Sequence, residues 1–425
     1  MNVPWRRRKL SSLRVEEQGL GLGFPNDDNL LLEMEVIVPC HFLCPISLDL
    51  MKDPVILSSG ITYDRESIEK WVEGGNLTCP VSNQALSSFD QTPNHSLRRM
   101  IQWWCVENKC HGIERIPTPC ASVMPHEVAG ACKRMSVAAR VGDTRRCMQL
   151  VVKMKSWAKD SERNKKCIVE NGAGCALSSA FESFSKGSDD ENVALLEEIL
   201  LVLVWAFPVG VEGQAKLGSV ASLRRMVSML KSGDLSVRRN VALVLKKLVS
   251  SSQVHAKALL GVEGIVQELF RLVKAPICPP SCKASLVTIS YLVPSSDRAL
   301  SSLVDIGLVS LLVELIVDDG DKSMSEKALL VLDRLFDSRK GREEAQKNDL
   351  IVPVLFAKIS LVPDLVSELC VSILWKLTKD DKGGEGIVVT EALQLGERAN
   401  PFQKLLMLLQ VGCGESTKHK VKELL

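Results

Sequence analysis

The sequence predicts a mainly α-helical protein, with a small α+β module ahead of an all-α solenoid that fills the rest of the chain. Three observations carry this. Strand and hairpin signals occur only between Val36 and about Cys110. The stretch HGIERIPTPCASVMPHE, residues 111–127, contains three prolines and no period, as a linker does. Beyond it helical periodicity runs to the C-terminus and recurs at a steady step.

In the module, Val55-Ile56-Leu57 and Ile61-Thr62-Tyr63 flank Ser58-Ser59-Gly60, which predicts a short hairpin. Asp64 is placed to cap a helix carrying Ile68, Trp71 and Val72, and Gly74-Gly75 ends it. A second helix is expected after Pro93, with Asn94 as its N-cap and Leu97, Ile101, Trp104 and Cys105 on one face. The expected core is Ile46, Ile56, Ile68, Trp71, Leu97 and Ile101. The domain boundaries that follow are a tail at 1–35, the module at 36–110, a linker at 111–127 and the solenoid at 128–425.

The solenoid repeats on two independent markers. Gly172, Gly218, Gly264 and Gly307, then Leu350, open Leu-rich helices at steps of 46, 46, 43 and 43 residues. Leu248, Leu292, Leu335 and Leu377 end the following long helices at steps of 44, 43 and 42. An all-helical period of about 40 to 47 residues is the mark of armadillo or HEAT repeats. No unit of that size buries its apolar face alone, so stacking supplies one continuous core.

Composition narrows the function. Apolar residues make up 46% of the 425 and aromatics only 4%, so Leu, Val, Ile and Ala must build the core. A formal charge of +2 creates no field that would draw nucleic acid or an anionic membrane. Fourteen cysteines lie between Cys40 and Cys413 without a compact framework. They read as reduced thiols of the cytoplasm, with the nucleus or a membrane periphery as alternatives. The basic start MNVPWRRRKL has no apolar stretch after it, and Met1-Asn2 lacks the glycine that myristoylation needs. The apolar run Ile199 to Val209 is too short to span a bilayer and reads as a buried helix. Residues 1–35 lack periodicity and read as a solvated tail, Arg6 to Lys9 included.

Two places in the module look like halves of a zinc site. Cys44-Pro45-Ile46-Ser47 and Cys79-Pro80-Val81-Ser82 each hold serine where a second thiol would stand. A hydroxyl is a poor zinc ligand and a good hydrogen-bonding group. Cys40, His41, Cys105, Cys110 and His111 do not complete the set, so no metal and no cofactor are expected. Ser47, Asp53, Tyr63, Asp64 and Ser82 are assigned instead to a polar network that holds the fold.

At these residues the chain resembles a known family. F-x-C-P-I-S from Phe42, M-K-D-P-V from Met51, G-x-T-Y-D-R-x-x-I-E-K-W from Gly60, C-P-V-S from Cys79 and T-P-N-H-x-L-R from Thr92 are similar to the U-box, a zinc-free relative of the RING finger. A U-box followed by armadillo repeats resembles the plant family of such E3 ubiquitin ligases, and Ala158 to Ala173 is similar to its first repeat. The resemblance implies that the module binds a ubiquitin-charged E2 enzyme and promotes transfer to a substrate lysine, with no nucleophile of its own. It implies an E2 contact at Ile46 and Leu48 in the first loop and at Pro80 in the second. Some relatives carry an arginine in the second loop that bridges E2 and ubiquitin, and Asn83 stands there in this chain. Partners implied are an E2, ubiquitin and a protein substrate held by the repeats, with self-association left open. Relatives of this kind act in stress, immune or hormone signalling. A non-catalytic armadillo scaffold is the alternative, with Asn83 as its argument. Along the repeats, Arg239, Lys283, Glu326 and Glu368 change sign at equivalent positions, while Asn240 and Trp375 stand alone where some armadillo proteins carry Asn and Trp ladders.

Overall fold

The computed structural model describes residues 38–109, 123–187, 192–318, 321–360, 364–378, 401–411 and 413–425, with Ile113, Glu114 and Ile116 between the first two spans. The tail expected at 1–35, Cys110 and His111 lie outside the described residues. The chain divides into two compact units, Met1–Pro119 and Cys120–Leu425.

The first unit is built on a hairpin. Strand β1 (Pro54–Ile56) pairs antiparallel with β2 (Thr62–Asp64), with Val55 opposite Tyr63. Gly60 makes the turn at φ +77, where a side chain would be strained, and its N–H reaches Leu57 O at 2.9 Å. A third strand, β3 (Thr92–Pro93), pairs on the other edge of β1. Two residues are too few to leave an alternating pattern, so the sequence did not announce it. Helix α1 (Arg65–Glu73) follows β2 directly, and α2 (His95–Glu107) follows β3.

Asn94 caps α2, its side-chain oxygen accepting from the Leu97 N–H at 3.1 Å. Asp64 holds the N-cap position of α1 but makes no cap bond; its carboxylate serves the neighbouring loop instead. The core also differs from expectation. Ile68 and Ile101 are buried, whereas Ile46, Ile56, Trp71 and Leu97 are only half-buried. The centre is Cys44, Met51, Val55, Tyr63, Cys79 and Cys105, each at 1% exposure or less. Ile113 and Ile116, within the expected linker, pack on this core as well.

In the second unit every element among the described residues is helical. Helices α3 (Pro125–Val141) and α4 (Thr144–Asp160) open it. Triplets follow: α5 (Glu162–Glu170), α6 (Ala173–Ser185) and α7 (Val193–Ala206), then α8 (Gly210–Leu217), α9 (Val220–Ser232) and α10 (Leu235–Ser251). Next come α11 (Gln253–Leu260), α12 (Ile265–Lys274) and α13 (Pro279–Leu292), then α14 (Asp297–Asp305), α15 (Leu308–Val317) and α16 (Lys322–Leu335). The triplet α17 (Arg339–Ala345), α18 (Ile351–Lys358) and α19 (Leu365–Thr378) precedes two last helices, Pro401–Val411 and Glu415–Leu424. The third helix of each triplet packs on its counterparts before and after, and one hydrophobic core runs from Val123 to Leu424.

The marker glycines have a backbone reason. Gly172, Gly264 and Gly307 open α6, α12 and α15 in the left-handed region, at φ 83, 89 and 87. Gly218 and Leu350 hold the marker place in their repeats with negative φ; at Gly218 the His255 ring lies where a side chain would start, so close packing and not the backbone conformation asks for glycine there. The run from Ile199 lies in α7, largely buried, and no single helix among the described residues is long and apolar enough to cross a membrane. Asn240 is buried, and Lys283 is paired with Asp321 at 2.7 Å.

Adjacent repeats are also joined by cations. Lys247 Nζ donates to Val204 O at 2.6 Å, Arg271 to Leu230 O at 2.9 Å, Lys376 Nζ to Asp333 O at 2.6 Å and Lys404 Nζ to Phe356 O at 2.9 Å. Each acceptor sits in the last turn of a helix one repeat earlier, where carbonyls lack intrahelical donors and the helix dipole is negative.

Candidate functional site

Two loops of the first unit have the same backbone. In the first, Leu43 bridges Leu50, the Cys44 N–H reaches Asp49 O at 2.9 Å and the Leu48 N–H reaches Cys44 O at 2.8 Å. In the second, Thr78 bridges Ala85, the Cys79 N–H reaches Gln84 O at 2.8 Å and the Asn83 N–H reaches Cys79 O at 2.8 Å. Both close through a residue in the left-handed region, Leu48 at φ 63 and Asn83 at φ 56. This is one turn used twice, on the sequence Cys-Pro-x-Ser-x.

Each loop is fastened to β2 through its cysteine. Cys44 Sγ accepts from the Asp64 N–H at 3.3 Å, and Tyr63 Oη lies 3.0 Å from Cys79 Sγ. Burial pushes the Tyr63 phenol up, and its bond to Cys79 pushes it further, so the phenol keeps its proton and donates it. Burial also pushes the Cys79 thiol up, but the hydroxyls around it, the Tyr63 phenol at 3.0 Å among them, outweigh it and bring the thiol to about 6. The buried sulfurs act as hydrogen-bond acceptors. Ser82 is exposed and reaches its own loop's cysteine; Ser47 is exposed, its Oγ 3.4 Å from the Asp49 amide. Among the described residues no three His, Cys, Asp or Glu side chains gather as a metal set.

Beneath the first loop lies an ionic and hydrogen-bonded brace. Asp64 Oδ1 accepts from the Lys52 N–H at 2.8 Å and the Asp53 N–H at 2.7 Å. Burial pushes the Asp64 carboxyl up, and the Lys52 amide opposes that. Asp53 receives Arg65 Nε at 2.7 Å and also Arg98, so its carboxylate ties α1 to α2. Arg65 also donates to Gln91 Oε1 at 2.9 Å. The second loop is tied to α1, with Trp71 Nε1 donating to Thr78 O at 2.9 Å.

The loop tips are where the polar brace stops. Ile46 and Pro80 are half-buried, Leu48 is 48% exposed, and Asn83 is exposed. Val81, which the sequence reading passed over, occupies in the second loop the place of Ile46 in the first and is 54% exposed. Aligning the two Cys-Pro-x-Ser motifs would have found it. Arg65 and Arg98 were missed too, because nothing in the sequence brings them to Asp53.

A small module with two matched loops on a hairpin, joined to a helical-repeat solenoid, is the class these features define. The U-box profile matches residues 38–110, and the profile of the plant U-box protein armadillo repeat region matches residues 127–425. The chain belongs to the plant U-box proteins with armadillo repeats. It is 45% identical over 393 residues to U-box domain-containing protein 20 of Arabidopsis thaliana, covering 92% of this chain and 87% of that one. It is 31% identical over 425 residues to E3 ubiquitin-protein ligase PUB22 of Arabidopsis thaliana, covering 93% and 95%. A designed armadillo repeat protein in complex with the peptide (KR)4 aligns at 16% identity and a TM-score of 0.45, over 57% of this chain and 96% of that one.

Proposed function

We propose that the protein is an E3 ubiquitin ligase whose two loops dock a charged E2 and whose repeats hold the substrate. One observation carries this reading. Leu48 is kept in a left-handed conformation at about half exposure, a backbone state that costs a branched residue of this kind roughly 1 kcal/mol. Asparagine or glycine would relieve that cost, so a leucine kept there needs a use outside the fold. With Ile46 and Pro80 it offers an apolar contact without charge, suited to an apolar loop on an E2.

In the proposed reaction, ubiquitin arrives as a thioester on the E2. The substrate lysine amine attacks the thioester carbonyl, the E2 cysteine leaves as thiolate, and an isopeptide bond forms. The U-box contributes proximity and orientation and no bond of its own. The test is incubation of the full chain with E1, a panel of E2s, ubiquitin and ATP. Self-ubiquitination that Leu48→Asn lowers supports the reading, and absence of transfer with every E2 overturns it. Residues 127–425, expressed alone, are expected to bind substrate without modifying it.

Asn83 favours a second reading. Where some U-boxes use arginine to bridge E2 and ubiquitin, asparagine cannot make a charged bidentate contact. A scaffold that binds an E2 without activating it would show E2 binding and no transfer, and Asn83→Arg would then raise transfer.

A further inference from the structure

Charge is spread unevenly along the chain. Between Pro125 and Glu170, which spans α3, α4 and α5, there are eleven Lys and Arg and five Asp and Glu, while over the rest of the chain the acids outnumber the bases. The near-neutral total therefore hides a basic end on the second unit. Around the turn from α3 to α4 this charge surrounds apolar side chains. Gly142 turns the chain at φ 81, and Asp143 spends its carboxylate on the Arg146 N–H at 2.9 Å. Val141, the last residue of α3, is 78% exposed. Val137, one turn earlier on the same face, is 50% exposed, and Val152, seven residues after Arg145 on one face of α4, is 49% exposed. Lys133, Arg134, Arg140, Arg145 and Arg146 are all exposed, and among the described residues none has an ion-pair partner.

The fold gains nothing from valines left in water among guanidinium groups, but one kind of surface suits both. At the boundary of an anionic bilayer, phosphates and carboxylates meet the cations and the acyl layer beneath them meets the valines. We infer that this end of the solenoid docks on an anionic membrane surface, with Val141 as the tip that enters it and the three arginines of the turn around it. Nucleic acid fits less well. It offers phosphates to the cations but no apolar layer to the valines, and a valine gives a base no ring to stack on.

The charges set the strength. Each Lys or Arg beside a surface rich in anionic lipid strengthens binding roughly fivefold, and the attraction fades within a Debye length. Binding is therefore reversible and sensitive to salt. It would confine the repeats to targets at a bilayer, whatever the first unit does with ubiquitin.

Vesicle flotation of the full chain tests this, with phosphatidylcholine alone and with about one third phosphatidylserine. The protein is expected to float with the anionic vesicles, to leave them at high salt and to ignore the neutral ones. Arg145→Gln combined with Arg146→Gln is expected to weaken binding roughly 30-fold. Lys257→Gln combined with Arg298→Gln removes the same charge from exposed sites in α11 and α14 and is expected to change little. Val141→Ser is expected to weaken binding threefold or more, with helical circular dichroism unchanged. Equal flotation with both kinds of vesicle, or with neither, overturns the inference. So does an equal loss in the two double variants, or a Val141→Ser variant that binds as the wild type does. Tighter binding to a short DNA duplex than to the anionic vesicles gives the face to nucleic acid and overturns it as well.

Discussion

The loops at Cys44 and Cys79 share a backbone and differ at the residue that closes them. In the second the left-handed position holds Asn83, a type that tolerates it; in the first it holds Leu48, which does not. The same turn is thus relaxed in one place and strained in the other. What a zinc-binding loop would hold with metal is held here by a cysteine that accepts a hydrogen bond from β2. Backbone stability explains an asparagine at the closing position of the second loop. It does not explain the leucine in the first, and that remainder is the argument for function.

The comparison can be broken most sharply through activity. Ile46→Ala and Pro80→Ala are each expected to cut ubiquitin chain synthesis tenfold or more, as loss of an anchor in a small interface does, with helical circular dichroism unchanged. Val81→Ala, at the place equivalent to Ile46, measures whether the loops share the contact equally. Full activity in the Ile46 and Pro80 variants would remove them from the site.

The brace comes next. Asp53→Ala leaves the two partly buried guanidinium groups of Arg65 and Arg98 without their shared carboxylate. It is expected to destabilise the isolated U-box by about 3 kcal/mol in urea, the scale for breaking a buried ion pair from one side. A loss below half of that would mean that the arginines find water instead.

Exchanging the closing residues sharpens the contrast directly. Leu48→Asn is expected to stabilise the U-box by about 1 kcal/mol and to lower ubiquitin transfer, while Asn83→Leu costs about the same and leaves E2 affinity nearly unchanged. A Leu48→Asn variant that is both more stable and fully active would leave the strain without a purpose.

The smallest effect concerns pH. Cys79 is held near 6, below the ordinary thiol range, so its contribution to stability is complete above the unfolded thiol pKa and is lost as pH falls through about 6. Unfolding midpoints followed from pH 9 to pH 6 should fall in the wild type more than in Cys79→Ser. Equal slopes would count against the hydroxyl donors around that sulfur.

Much of this was legible in the sequence, for physical reasons. Leu248, Leu292, Leu335 and Leu377 mark the repeat because each must fill the same gap against its neighbours. Gly172, Gly264 and Gly307 mark it because a left-handed helix start excludes other side chains at little cost. The hairpin and the Asn94 cap are local, and local chemistry writes local signals. What escaped was assembled across the fold. Asp64 looks like a cap because its position is a cap position, and only the neighbouring loop shows where its carboxylate goes. Arg98 is 45 residues from Asp53, and no pattern along the chain joins them. The thiols of Cys44 and Cys79 read as half-sites that no further ligand completes, and only the fold places them at the centre of the core.

The cations that join the repeats give the solenoid a direction. Lys247, Arg271, Lys376 and Lys404 each close a helix belonging to the repeat before their own. A repeat therefore depends on its successor for its last carbonyls, and lends its own cation backwards. Trimming the chain from the C-terminus unseals one helix end at each of these steps, whereas trimming from the N-terminus removes only the end that was being sealed. Fraying should accordingly travel from the C-terminal repeats inward, and a partner bound to the last helices would tighten the array ahead of it like a clasp.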